Sequence, residues 1–386
     1  MLAICSDLDE TPDRHVYYEI ARYLNTREET SMGRGVGLEV GNTIYFDMPA
    51  SQFAYWNTDD AGRAMVRDLI KSGHIDCLHS FGDLATTRGH AGRALEELAR
   101  HGCKLECWID HATAVTNFGA DIMRGQGDVP GSPAYHADLT CDFGVKYVWR
   151  GRVTSIVGQD VPRSYRGLVR PDHLVSALKT AGKEFVKGAL ARAGNAKYEM
   201  HASNRILRQS TLRDGHDVVE FLRANPNPGG VSCGDTADGI ADVLTAPVLD
   251  RLAASGGFAI FYTHLGKIKD RKVPFNARTR AGFELLAERQ NDRRTLVTTT
   301  RRLLAYRRML GGIDVSLREG TVPELVLSRA EDICDTDLSG LTLYVPGPPP
   351  SRVLLNGREI KVVVNEPDES GRRSISLPWS RLEFPR

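Results

Sequence analysis

The chain has 386 residues, enough for a large core and more than one domain. Lysine and arginine number 50 against 49 aspartates and glutamates, so overall charge gives no case for a nucleic-acid or membrane-surface partner. Hydrophobic residues make up 41%, ordinary for a folded globular protein, and no apolar run is long enough to span a bilayer. The first element, LAICSDLDE, is an apolar strand ending in Asp7 and Asp9. Two residues apart on a strand, these carboxylates share one face, and a cation or shared proton must relieve their repulsion. A helix follows, with Thr11 as a cap, Pro12 at its first position and Val16, Tyr17, Ile20 and Leu24 on one stripe. No leader is expected, because the opening strand starts at Leu2. The scattered, odd set of seven cysteines points to a reducing cytoplasm.

VGLEVGNTIYFDM reads as a hairpin or pair of short strands. A helix carrying Met65, Val66, Leu69 and Ile70 follows, stopped by Gly73. HIDCLHSFGD is a strand running into a loop, and RALEELARHG a helix leading to the strand KLECWIDH. After a long Gly- and Pro-containing loop from Ala112 to Pro133 come the strand VKYVWRGRV and a helix over His173–Ala193. RILRQSTLRDG gives a strand and turn, FAIFYTHL a short apolar strand, and two further helical segments end near residue 309. Strands separated by helices imply a mostly parallel sheet with crossovers, and six to eight such units favour a barrel or distorted barrel. Residues 310–386 change character to short strands, with a hairpin signal at Asn356-Gly357 and a stiff Pro346–Pro350 run. The expected organisation is an α/β distorted (β/α) barrel over 1–309 and a small C-terminal β-sandwich over 310–386.

The chemistry-bearing residues recur at predicted strand ends. His79 and Asp83 in HSFGD, one helical turn apart, can join Asp9 around one divalent ion, with oxygen and nitrogen donors that suit zinc, manganese or a similar metal. Asp110 and His111 end the next strand, with Asn117 in the loop beyond. His136 lies near a helix start, Arg150 and Arg152 follow Trp149, and His264 ends a late strand. Each has an ordinary alternative as a cap, a loop fastener or a surface ion pair. In a parallel barrel, however, all these ends converge on one face. The loop from Ala112 to Pro133 then covers substrate, and Asp110, His111, Asn117, His136 and Arg150 offer hydrogen bonds to it.

The opening strand with Asp7 and Asp9, the HSFGD segment and the late strand ending in His264 resemble the NodB-like polysaccharide deacetylases, the fold of carbohydrate esterase family four. The resemblance implies a distorted barrel and a metal-dependent hydrolase that removes an acetyl group from an N-acetylated sugar or glycan. It implies Asp7 as base, His264 as acid, and Asp9, His79 and Asp83 as ligands of one divalent ion, zinc foremost. Asp83 stands where the family has its second histidine, and Arg150 is the candidate for the arginine of an RPPYG-like motif. The expected partner is a carbohydrate substrate, with no nucleic acid and no membrane. DLDET also matches the D-x-D-x-[TV] motif of haloacid dehalogenase-like phosphatases, with Asp235 and Asp238 as a loose late acidic motif. A non-catalytic glycan-binding protein on the same barrel is the third reading.

Overall fold

The structure is a computed structural model that describes residues 1–7, 10–165, 168, 174–318, 324–330, 333–345, 350, 352–368 and 370–386. Asp9, His173 and most of the Pro346–Pro350 run lie outside the described residues. The chain divides into two compact units, Met1–Arg301 with Leu382–Arg386, and Arg302–Arg381.

The larger unit contains β1 (Leu2–Ser6), α1 (Arg14–Asn25), β2 (Glu29–Thr30), β3 (Gly33–Arg34), β4 (Gly41–Ile44), α2 (Asp60–Lys71), β5 (Ile75–His79), α3 (Arg88–Arg100) and β6 (Cys107–Ile109). It continues through α4 (Ala137–Phe143), β7 (Tyr147–Trp149), β8 (Val153–Thr154), α5 (Leu174–Arg192), α6 (Glu199–Ser203), β9 (Leu207–Thr211), β10 (Asp217–Phe221) and β11 (Arg223–Ala224). It ends with α7 (Val231–Gly234), α8 (Ala246–Ser255), β12 (Ala259–Thr263), α9 (Ala277–Asn291) and β13 (Val297–Thr298). The main sheet is curled and runs β8-β11-β12-β1-β4-β5-β6-β7-β10-β9, with β13 beside β1. Apart from the antiparallel β9–β10 pair, its ladders are parallel, as helical crossovers require.

Strand alternation sorts the side chains into two sets. Leu2 and Ile4 join the apolar cluster shared with α1, α2, α3, α8 and α9. Cys5 and Asp7 turn the other way, toward Arg223. On that same side the Cys77 thiol meets those of Cys5 and Cys107, so β1, β5 and β6 contribute a layer of small, buried thiols. Burial pushes all three up, so they stay protonated. All seven cysteines are free.

Two local expectations give way to better hydrogen-bond acceptors. Asp13, not Thr11, caps α1, accepting from the amides of His15 and Val16, and the helix starts at Arg14. The expected hairpin in VGLEVGNTIYFDM is a single parallel strand, β4, because the preceding backbone is spent on α1. Val36 N donates to Tyr23 O, Leu38 N to Leu24 O and Val40 N to Asn25 Oδ1.

The chain end returns to the first unit: Leu382 N donates to Glu39 at 2.9 Å, and the Phe384 ring meets His74 at 5.1 Å. α10 (Thr300–Gly311) leads into the second unit. That unit has one sheet of β14 (Ile313–Arg318), β15 (Glu324–Arg329), β17 (Arg352–Leu355) and β18 (Arg358–Glu359). A second contains β16 (Thr342–Tyr344), β19 (Val363–Asn365) and β20 (Ser374–Ser376). Leu325, Leu327 and Val353 of one sheet share an apolar cluster with Ile375 of the other. Asn356 and Gly357 turn the β17–β18 hairpin with φ of 47° and 82°, as a two-residue turn demands. Among the described residues no helix is long and apolar enough to cross a membrane.

On β5, Asp76 turns outward and is buried. Its carboxylate accepts from Arg301 N at 2.7 Å, yet burial pushes it up to about 6. The folded state therefore binds an extra proton between pH 4 and pH 6, and this contribution to stability is lost as pH rises through that window. Chemical denaturation should find that wild type loses up to about 3 kcal/mol relative to Asp76→Asn between those pH values. Parallel pH profiles for the two proteins would contradict this.

Candidate active site

At the end of β1 the Asp7 carboxylate is 1% exposed and meets the guanidinium of Arg223, which is fully buried. Arg223 Nη1 donates to both oxygens, at 3.0 and 2.8 Å. The guanidinium also lies 3.4 Å above the Trp149 ring and 4.5 Å from Tyr262, so two π faces help hold a desolvated cation. Burial works to raise Asp7, but the charge of Arg223, followed by His79, outweighs it and holds the carboxyl below the usual range. The cation that the opening acidic turn requires is thus supplied, for Asp7, by the protein itself.

Two imidazoles face this pair from other strand ends. His79 ends β5, with Nε2 3.5 Å from Asp7 Oδ2. Its Nδ1 donates to Ile109 O at 3.1 Å, which fixes the orientation of the ring and turns Nε2 to Asp7. His264 follows β12, and its Nδ1 donates to Asp235 O at 2.8 Å. Its Nε2 lies 3.4 Å from the Tyr262 hydroxyl, and its charge is felt at Asp7. Tyr45 stacks on His79 with centroids 4.5 Å apart, and His111 meets His79 edge to face at 4.9 Å.

The HSFGD segment is not a helical turn. Ser80, Phe81 and Gly82 all have positive φ, at 43°, 60° and 103°. Three consecutive left-handed residues are costly unless the surroundings enforce them. Asp47 N donates to Phe81 O, Thr116 Oγ1 to Ser80 O, and Leu84 N to Asp47 O. This turn carries Asp83 to His111, whose Nδ1 lies 2.9 Å from its carboxylate.

The remaining expected site residues are engaged in the framework. Asp110 accepts from Trp108 Nε1, Phe118 N and Gly119 N, and burial raises it to about 7. Asn117 bonds the backbone of His111 and Ala112. His136 bridges Thr140 Oγ1 and Thr116 O among the rings of Phe81, Trp108 and Phe118, and burial lowers it to about 4, leaving it neutral. These three order the Ala112–Pro133 loop. Arg150 pairs with the buried Glu220 at 2.8 Å, beside Arg152 and Arg208. The guanidinium on Asp7 comes instead from Arg223. Its signal was the run RANPNPGG over 223–230, an arginine leading prolines and glycines directly after an apolar strand.

The expected metal set does not assemble from the described residues. His79 has the backbone-tethered Nδ1 common in ligating histidines. Asp83, however, is paired with His111, and Asp9 lies outside the described residues. Among the described residues no three His, Cys, Asp or Glu side chains are grouped to hold an ion.

The chain matches no family model, no characterised protein and no solved structure.

Gly82 lets this turn form, since a Cβ there would lie 2.3 Å from Asp47 O. Gly82→Ala should cost about 2–4 kcal/mol in urea denaturation. Gly102, with φ of 64° and nothing within 4 Å, is the control and should cost about 1 kcal/mol as Ala. Equal losses would show that the turn yields without cost.

Proposed function

We propose that this chain is a hydrolase that removes an acyl group, acetyl above others, from an acylated sugar or glycan. The observation that carries the reading is the buried, ionised Asp7, clamped by Arg223 and faced by His79 and His264 from two other strand ends. An anion held beside two imidazoles is a proton-transfer centre. Its parts agree with the NodB-like resemblance, and RANPNPGG supplies the arginine-proline-glycine run sought there at Arg150.

The strand registers support a distorted barrel. β7 pairs with β10 as Tyr147↔Val219, and β8 with β11 as Val153↔Arg223, so the same two chain segments run side by side with a slip near Arg150–Arg152. Taken as two bent strands, they connect β6 to β12 and bring the pairings into a ring. Asp7, His79, His264 and Arg223 then lie at one mouth, where barrels carry their chemistry. For the second unit, the apolar cluster shared by its two sheets supports a small sandwich. The free thiols fit a reducing, cytoplasmic setting.

In this reading Asp7 takes a proton from water as the water oxygen adds to the acyl carbonyl. Arg223 keeps Asp7 ionised across neutral pH and fixes its orientation. His264 carries its Nδ1 proton to Asp235 O, so Nε2 is where a proton is held for the departing nitrogen or oxygen. The bond from acyl carbon to that atom breaks, and the carboxylic acid and the freed amine or hydroxyl leave. The phosphatase reading has less support: the Asp238 carboxylate of its late acidic motif is taken by Lys269 and Asn276.

Acetate release from N-acetylated chito-oligosaccharides and from acetyl esters tests the proposal. Asp7→Asn and His264→Ala should each lower kcat/KM by about 100-fold to 10,000-fold with the fold intact by circular dichroism. Chelation with metal-by-metal return on the same assay shows whether an ion takes part. Full activity in Asp7→Asn, or activity on phosphate esters alone, would sink the reading.

A further inference from the structure

Helix α5 is built inside out. Its inward positions are small or polar: Ala177, Thr180, Glu184 and Gly188 are buried. Glu184 anchors that face, accepting from Thr154 Oγ1 at 2.9 Å, Ser155 N at 3.2 Å and Lys187 Nζ at 2.8 Å, with Arg163 and His201 at 3.6 Å. Its outward positions are apolar. Leu174, Val175, Leu178, Phe185, Val186 and Leu190 are all exposed, Val175 at 69% and Phe185 at 62%. Ordinary surface helices show the opposite pattern, and an exposed apolar face of this kind marks an interaction surface.

Charge selects the occupant. Lys179, Lys183 and Arg192 are exposed on the same helix, and Glu184, its only acidic residue, points inward. Among its described residues the outer face of α5 therefore combines apolar side chains with positive charge and carries no exposed acid. A second copy would bring two such cationic faces together in a self-complementary contact, with nothing on α5 to neutralise them. An apolar stripe flanked by lysines is what a helix lying in an anionic lipid interface presents. Since α5 is not apolar enough to cross a bilayer, it would rest on the surface. We infer that α5 docks the protein on an anionic membrane surface through Leu174, Val175, Leu178, Phe185, Val186 and Leu190, with Lys179 and Lys183 facing lipid phosphates. The balanced charge of the whole chain hides this local arrangement.

Co-sedimentation of the full chain with phosphatidylcholine vesicles, with and without phosphatidylglycerol, tests the inference. Wild type should bind the phosphatidylglycerol-containing vesicles, bind phosphatidylcholine alone weakly, and lose affinity as salt rises. Phe185→Asp with Val186→Asp should weaken binding about tenfold or more, and Lys179→Glu with Lys183→Glu by a similar factor. All four positions are exposed, and circular dichroism confirms that each variant is folded. Failure of wild type to bind, or equal binding by the aspartate variant, would overturn the inference. So would a dimer that the aspartate variant dissociates while no vesicle binding is seen, which would assign the face to a second copy.

Discussion

A carboxylate and a guanidinium, both out of reach of water, organise the centre of the larger unit. Each alone would be costly to bury, and together they repay that cost only with close geometry and further partners. Arg223 has them: two oxygens of Asp7, the face of Trp149 and the ring of Tyr262. The pair ties the end of β1 to the start of β11, and the residues supporting it come from β7 and β12. His79 and His264 are meaningful because they face this pair. Without it, they would be two buried imidazoles on separate strands.

Beneath the charges lies the thiol layer of Cys5, Cys77 and Cys107. Small side chains there leave room for a guanidinium at the same level, and Cys5 Sγ lies 3.4 Å from Arg223 Nη1. Strand alternation makes the two layers consecutive: Cys5 precedes Asp7 by two residues, and Cys77 precedes His79 by two. The tight HSFGD turn then redirects the chain, so that Asp83 meets His111 rather than sharing a ligand with His79.

Much of the alternating strand and helix pattern was legible because each strand is a short apolar run stopped by a polar residue, as LAICSD and FAIFYTH show. Strand-end logic also brought Asp7, His79 and His264 together on paper, and they are neighbours in space. Two kinds of fact stayed hidden. One is which of several arginines crosses the interior: Arg150 was the candidate, but it and Arg152 both answer Glu220, a partner 70 residues on from Arg150, and Arg223 reaches Asp7 instead. The other is which strand-end residues fasten a loop. Asp110, Asn117 and His136 have the composition of a binding cluster, and only their pairing with Trp108, Phe118, Gly119, His111 and Thr116 shows them holding the loop.

The central claim is that Asp7 and Arg223 act as one unit. A double-mutant cycle with Asp7→Asn, Arg223→Met and the double variant measures this in stability. Each single variant leaves a buried group without its partner and should lose about 3–5 kcal/mol. The double variant should lose no more than either single one, a coupling of several kcal/mol. Losses that add to within about 0.5 kcal/mol would mean the two groups do not depend on each other, and the account of the site would be wrong.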